Sequence, residues 1–461
     1  MNNENIKVSV IMPNLNGMPY FKKAFDSVIG QSLNEIEIIV VDAGSGDGSD
    51  EYVKEAQKKD KRVKLIYSEK KSMGAQYNIG IKNANGRYIG FCESDDYIDE
   101  QMYEVLYEKA AEHDFPDAVK AGFYMFFTRD GKETSIRREA LLPGNRGEYD
   151  KIININNTPG MYHRDTNIWN GIYNTDFLRT GNVMFNETPG AAFQDHDFAK
   201  IVDFLAGRQV CVKECFYHYR RDNDLSTAYK PNTSLFVLNE WEYMMDFMNS
   251  HNEIKDKYGD FVLVDFMGFF QGQYFKNRSG NVSLGFEDKV EHIKNKAYKY
   301  YLSLPFGLRA KCKTELKGKC EIDLFFENID IYRELGDFKY KKHKEELKIV
   351  KELLSDKEKV IIVGAGELGQ SLAMFLSIND YRGDVSFCDN NKNLHNTELM
   401  GLKVYSIEDA AEKFKDGFYI IPGSFKYYAE LSAQLESCGA DRKNIFEFPN
   451  IDMHECFEIK W

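Results

Sequence analysis

"VSVIMPNLNGMPYFKKAFDSVIGQSLNEIEIIVVDAGSGDGSDEYV" runs from Val8 to Val53. Its apolar runs VSVIMP and IEIIVVDAG are short and rich in β-branched residues, so they read as strands buried on both faces. YFKKAFDSVIGQ, between them, and DEYVKEAQKKD, after them, are amphipathic and read as helices. The series continues with strands RVKLIYS and RYIGFCE and the helix AQYNIGIKNA. Strands alternating with helices give βαβ units, hence a mainly parallel sheet with helices on its faces.

Working outward, 461 residues suggest two to four domains. The α/β pattern is expected over residues 1–228, more irregular after 120, where LLPGNRGEYD and ETPGAAF interrupt it. Residues 229–347 lack strand alternation. SLFVLNEWEYMMDFM and VEHIKNKAYKYYLSL have helical spacing, so this stretch reads as a helical extension. From 348 to 461 a second α/β pattern appears, with strands KVIIVGAGELGQ, DVSFCDN and GFYIIPG and helices SLAMFLSIN and YYAELSAQLESCG.

The formal net charge of -13 argues against nucleic acid as the main partner. The eight cysteines are scattered and form no C-x-x-C pair, which fits reduced thiols in the cytoplasm. No run approaches the ~20 apolar residues that span a bilayer. The first residues, MNNENIKVSV, do not have a signal-peptide pattern. The expected place is the cytoplasm, including peripheral association with the inner face of the membrane.

One apolar run ends in acid. IGFCESDDY, Ile89 to Tyr97, carries Glu93, Asp95 and Asp96 at a strand tip, and Asp42 ends a neighbouring strand. In an open parallel sheet such tips border the ligand crevice. Carboxylates this close either stay partly protonated or bind a cation. A hard divalent ion is held by carboxylates together with substrate phosphates. The alternative is a solvated acidic turn capping the next helix.

The opening stretch, KKSMGAQYNIGIKNANGRYIGFCESDDYID, IWNGIYNTDFL, FNETPGAAFQDHDF and FYHYRRDNDLSTA occur in an order and spacing that resemble family 2 glycosyltransferases of GT-A fold, over about the first 230 residues. The resemblance implies inverting transfer of a sugar from a nucleotide diphosphate, expected to be a UDP-hexose or UDP-N-acetylhexosamine, with Mn²⁺ or Mg²⁺. The acceptor would be a hydroxyl of a surface glycan, a lipid-linked sugar or a protein. The resemblance also implies that Pro13, Asn14 and Asn16 line the base, that Asp42 binds the base or ribose, and that Glu93-Ser94-Asp95-Asp96 stands at the D-x-D position. Asp95 and Asp96 would divide ribose and metal between them. Leu15 replaces an aromatic, Ala43 a carboxylate, and Glu93 an Asp.

Asp195, in Gln194-Asp195-His196-Asp197, matches the position of the family's base; it also suits a helix N-cap. His196 and Asp197 are the other candidates. Arg220 and Arg221 either clamp the diphosphate or form a surface pair. Trp169 either floors the acceptor pocket or packs in the core. His218 is a third metal ligand or a buried structural histidine.

Gly364, Gly366 and Gly369 follow the strand KVIIV, and Asp389 lies 20 residues past Gly369. That is the spacing of a dinucleotide fingerprint, with the acid on a ribose hydroxyl. The unit resembles small Rossmann-like domains of sugar-modifying enzymes, which bind nucleotides or mediate assembly. Two rival functions follow: an NAD-linked oxidoreductase built on this fingerprint, and a non-catalytic scaffold that binds glycans or partners.

Overall fold

The computed structural model describes residues 6–129, 131–163, 166–191, 193–223, 233–278, 286–315, 322–379, 381–422 and 425–448. The chain forms two compact units, Met1–Phe127 with Arg137–Glu334, and Thr128–Ile136 with Leu335–Trp461.

The first unit begins with β1 (Val8–Asn14), α1 (Tyr20–Ile29), β2 (Ile36–Asp42), α2 (Ser49–Lys59), β3 (Val63–Tyr67), α3 (Met73–Asn83) and β4 (Tyr88–Phe91). These are the strands and helices expected from the opening stretch. β1, β2 and β4 are buried along their whole length, which explains their unbroken apolar runs. The chain continues with β5 (Tyr97–Ile98), α4 (Met102–Glu112), β6 (Ala118–Arg129), β7 (Lys132–Arg138), β8 (Gly171–Asn174), α5 (Thr175–Thr180), α6 (Gln194–Leu205) and β9 (Gln209–Arg220). The region past 120 is thus more regular than its sequence suggests, because β6 and β9 are 12 residues each.

The sheet order is β3-β2-β1-β4-β8-β6-β9-β5, with β7 beside β6. β1 runs parallel to both β2 and β4. The winding direction therefore reverses between β1 and β4, and the crevice of such a sheet opens beyond the strand ends at that point. Asn14 lies opposite Asp42, and Ile11 opposite Phe91, so the β1–β2 tips and the acidic turn after Phe91 meet at one edge.

Behind that edge the core is aromatic. Phe198 stacks on Phe185 at 4.1 Å, and Phe185 on Tyr77 at 4.7 Å. Such pairs add about 0.5–1.5 kcal/mol each beyond area burial. They fix α6 and the segment before it against α3.

Helices follow the sheet: α7 (Thr233–Ser250), α8 (Asn252–Arg278), α9 (Phe286–Ser303), α10 (Phe306–Glu315), α11 (Ile322–Glu327) and α12 (Ile329–Leu354). α12 crosses the expected boundary at 347; the boundary at 228 lies outside the described residues.

The second unit holds β10 (Lys359–Val363), α13 (Glu367–Ile378), β11 (Asp384–Cys388), β12 (Glu398–Leu399), β13 (Leu402–Tyr405), α14 (Ile407–Lys413), β14 (Phe418–Pro422), α15 (Phe425–Ser437) and β15 (Ile445–Phe448). Its sheet order is β12-β13-β11-β10-β14-β15, parallel except for β12. This is a small Rossmann-like fold. The six described free cysteines are Cys92, Cys211, Cys215, Cys312, Cys388 and Cys438. No described helix is long and apolar enough to cross a membrane.

Candidate active site

A cleft of about 400 Å³ opens at the reversal point of the first sheet. Its walls are the β1 tip and the loop to α1 (Pro13, Asn14, Leu15, Asn16, Gly17, Met18), the start of α1 (Tyr20), the entry to α3 (Lys71, Ser72, Met73, Gln76), the acidic turn (Glu93, Ser94, Asp95), the approach to α6 (Gly190, Ala191, Phe193, Asp195), and Tyr219 with Asn223. Of the residues anticipated from sequence, Pro13, Asn14, Asn16, Glu93, Asp95 and Asp195 come together here.

Asp42 does not line the cleft. It is fully buried. Its Oδ1 accepts the backbone N–H groups of Gly44 and Ser45 at 2.8 Å each. Its Oδ2 accepts Asn14 Nδ2 at 2.7 Å and Ser45 Oγ at 2.6 Å. With four donors already bound, Asp42 shapes the loop that orients Asn14 and Asn16. Asn16 Oδ1 in turn accepts from Gly46 N at 2.8 Å.

Glu93, Asp95 and Asp96 bring ligand atoms within 4.8 Å of one another. Asp96, expected as a metal ligand, is 1% exposed and turned inward. Its Oδ2 accepts from Tyr217 Oη at 2.6 Å and its Oδ1 from Arg220 N at 2.7 Å. Glu93 and Asp95 are the members that face the cleft. Asp95 Oδ2 accepts from Asn223 Nδ2 at 2.7 Å. Burial, followed by mutual repulsion, pushes Glu93 and Asp96 well above the usual carboxylate range, and burial raises Asp95 as well. A cation would relieve all three at once. The donor set, all hard oxygens with two carboxylates open to the cleft, fits Mg²⁺ or Mn²⁺.

The arginines do not reach into the cleft. Arg220 donates from Nε to the Asp95 carbonyl at 2.9 Å and from Nη1 to Asp222 at 2.9 Å. Its guanidinium lies over the Tyr20 and Phe126 rings. It therefore braces the acidic turn. Arg221 is buried and donates to Tyr219 Oη at 3.1 Å. Trp169 is core, not floor: it is 2% exposed and stacks on Tyr217 at 4.0 Å. His218 is structural, bonded to Asp99 at 2.9 Å and stacked on Tyr97 at 4.1 Å. Residues 224–228 of the FYHYRRDNDLSTA stretch lie outside the described residues.

Asp195 stands in the first turn of α6, whose N-cap position is Phe193, so Asp195 is not the N-cap that its sequence context also suited; its charge instead lies near the positive end of the helix dipole. Its carboxylate accepts from His196 N at 2.9 Å. The residue two before it, Phe193, has φ of 63°, a left-handed conformation that costs a non-glycine residue about 1–2 kcal/mol. Burial raises the Asp195 carboxyl above its ordinary value, opposed by the charges of His196 and Lys120. His196 and Asp197 are buried behind it and outside the cleft lining.

Lys71, Tyr217, Tyr219 and Asn223 were not anticipated from sequence. Alternation in FYHYR could have shown that Tyr217 and Tyr219 share one face of β9. Nothing local marks Lys71, which only the fold brings to the cleft.

In the second unit Gly364 has φ of +100°, and a Cβ on Gly369 would sit 1.9 Å from the Gly364 carbonyl oxygen. The glycines are thus required by a tight strand-to-helix turn. Asp389 does not stand free for a ribose. Its Oδ2 accepts from Ala365 N at 2.7 Å and its Oδ1 from Asn391 N at 2.7 Å, which closes the glycine loop.

Comparison with known proteins agrees with this geometry. Residues 9–188 match the family model described as Glycosyl transferase family 2. The uncharacterized glycosyltransferase EpsJ of Bacillus subtilis is 29% identical over 252 residues, 53% of this chain and 70% of that protein. The glycosyltransferase GlyA of Streptococcus pneumoniae is 38% identical over 125 residues, 27% of this chain and 18% of that protein. The crystal structure of S. aureus TarS superposes with a TM-score of 0.51 at 19% identity, covering 72% of this chain and 55% of that one, a likeness of fold. The likeness to glycosyl transferase family 2 thus falls on residues 9–188, chiefly within the first unit.

Proposed function

We propose that the chain transfers a sugar from a nucleotide diphosphate to a hydroxyl acceptor, with inversion and with the help of a divalent cation. The observation that carries this reading is the meeting of Asp195 with Glu93 and Asp95 in one cleft beside the Pro13–Met18 segment. The nucleoside would lie along Pro13, Asn14 and Asn16. Glu93 and Asp95 would hold Mn²⁺ or Mg²⁺, with Asp96 shaping the turn from behind. When bound, the ion supplies positive charge beside the diphosphate. Lys71 adds a second cation to the same cleft.

Asp195 would serve as general base. The acceptor oxygen attacks the anomeric carbon while the bond from that carbon to the diphosphate breaks, and the electron pair leaves with the diphosphate. The acceptor proton passes to the Asp195 carboxylate. A positioned base contributes roughly 10²–10⁴ in rate. Attack from the face opposite the leaving group inverts the anomeric centre. The donor we propose is a UDP-hexose or UDP-N-acetylhexosamine, and the acceptor a surface glycan, a lipid-linked sugar or a protein.

The test is release of nucleoside diphosphate from a panel of nucleotide sugars, with Mn²⁺, Mg²⁺ or chelator, for the wild type and for Asp195→Asn and Asp95→Ala. Metal-dependent turnover lost in both variants is expected. Turnover unaffected by all three perturbations would overturn the reading.

A further inference from the structure

The segment from Phe185 to Asp195 delivers Asp195 to the cleft, and part of what fixes it comes from the helical extension. Glu240, on α7, is 0% exposed. Its Oε1 accepts from Asn186 Nδ2 at 3.1 Å and from Thr188 Oγ1 at 3.0 Å. Thr188 Oγ1 also accepts from Gln194 Nε2 at 2.9 Å, and Gln194 immediately precedes Asp195. On its other side the Glu240 carboxyl meets the carboxyl of Asp197, two residues past Asp195. Asp197 is also 0% exposed.

Glu240 Oε2 and Asp197 Oδ2 are both buried, and among the described residues neither has a hydrogen-bond donor. Two buried anions facing each other would be strongly disfavoured. One proton held between them removes the repulsion and gives each oxygen its missing partner.

We propose that Glu240 is a positioning residue held as a carboxylic acid. It shares its proton with Asp197 and clamps the chain on both sides of Asp195, through Thr188 and Gln194 before it and through Asp197 after it. The inference rests on the reading of Asp195 as the base. It makes α7 a working part of the site.

The surroundings keep the proton in place. From α6, His196 approaches Asp197 at 3.4 Å, and it reaches Asp265 of α8 at 3.0 Å. Lys200 lies 3.9 Å from Asp265 and donates to the Tyr162 carbonyl. Tyr243 of α7 faces both Asp197 and Glu240, with Glu187 of the loop beside it, and Tyr162 faces Asp197. Burial, followed by Asp197, pushes Glu240 up, and burial pushes Asp197 up as well. Burial would lower His196, but Asp265 and Asp197 hold it at about 9. Both carboxyls are pushed toward the protonated form, which fits one proton shared by the pair, with His196 and Lys200 alongside Asp197 and Asp265.

The test uses the full chain with Glu240→Gln and Glu240→Ala. In Glu240→Gln the amide carbonyl can still accept from Asn186 and Thr188, and the amide N–H can still donate to Asp197. Expected results are a fall in kcat of about tenfold or more for Glu240→Ala, with donor KM within about twofold, and recovery of most of that loss in Glu240→Gln. The protonated-carboxyl absorption in the infrared spectrum near neutral pH should lose one component on going from the wild type to Glu240→Gln. Amides of residues 186–194 should exchange faster in Glu240→Ala only. The proposal is overturned by Glu240→Gln being as slow as Glu240→Ala, by kcat of Glu240→Ala staying within about twofold, or by an infrared spectrum that Glu240→Gln leaves unchanged. If the wild type transfers no sugar, the reading of Asp195 fails, while the infrared and exchange results still decide the clamp.

Discussion

Tyr217 Oη lies 2.6 Å from Asp96 Oδ2 and also accepts the backbone N–H of Glu93 at 3.1 Å. One buried phenol thus ties both ends of the acidic turn to β9, with Trp169 stacked beneath it.

Tyr217→Phe keeps that stacking and removes only the hydroxyl. Asp96, buried, would lose a charge-assisted hydrogen bond of about 1.5–3 kcal/mol. We expect metal-dependent turnover to fall about tenfold or more with the fold retained, as measured by Mn²⁺ titration of activity beside circular dichroism. An unchanged metal titration would mean that Tyr217 does not hold the turn.

Asp195 titrates above the ordinary carboxylate range because it is buried. A base must be deprotonated to accept the acceptor proton. Activity should therefore be lost as pH falls through this raised value, so the acid limb of kcat/KM lies above the ~4 of a free Asp. The measurement is a pH–rate profile of the wild type; a limb at or below the free value would count against Asp195 as the titrating base.

Gly74 is less obvious from sequence than the acidic turn. A Cβ there would sit 2.0 Å from the backbone oxygen of Asn186 and 3.2 Å from Phe185 Cβ. The same strand of chain is bridged to α3 through Met73 N and Gly190 O at 2.9 Å. Gly74→Ala must push the segment that carries Asp195. We expect a loss of about 1–3 kcal/mol in stability and a lower kcat. Gly46→Ala, with open space around Cβ, is the control and should alter neither. Equal behaviour of the two variants would refute the contact.

These residues show what a sequence can and cannot convey. The β1-to-β4 series was legible because strands buried on both faces read as unbroken apolar runs. The acidic turn was legible because its three carboxylates fall within four residues. The division of labour inside it was not. Asp42 and Asp96 are acids at strand tips, yet each is consumed by donors that only the folded loops present: Ser45 and Gly44 for one, Tyr217 and Arg220 N for the other. Asp389 repeats the pattern in the second unit, where Ala365 N takes the oxygen expected to meet a ribose. Arg220 looked like a clamp because its charge is visible and its partner, a backbone carbonyl, is not. Glu240 was beyond reach, since its bonds to Asn186 and Thr188 span more than 50 positions.

The helical extension offers a last test, independent of sugar transfer. Glu242 of α7 accepts from Lys289 at 2.6 Å and Lys296 at 3.3 Å and contacts His292 at 2.9 Å, all on α9. Partial burial would raise its carboxyl, but the bonds from Lys289 and His292 outweigh that and hold it at about 2. A depressed carboxyl stabilises the fold above its unfolded value of ~4.3, and that contribution is lost as pH falls toward the folded value. Glu242→Gln should therefore weaken the α7–α9 contact by about 1–2 kcal/mol near neutral pH, after allowance for its partial exposure, and by progressively less below about pH 4. Hydrogen exchange of α7 and α9 amides in wild type and variant, at neutral and acid pH, reads the difference locally, which suits a chain of two units better than a global melt. A gap between the two proteins that stays constant from neutral to acid pH would show that the ion cluster is not its source.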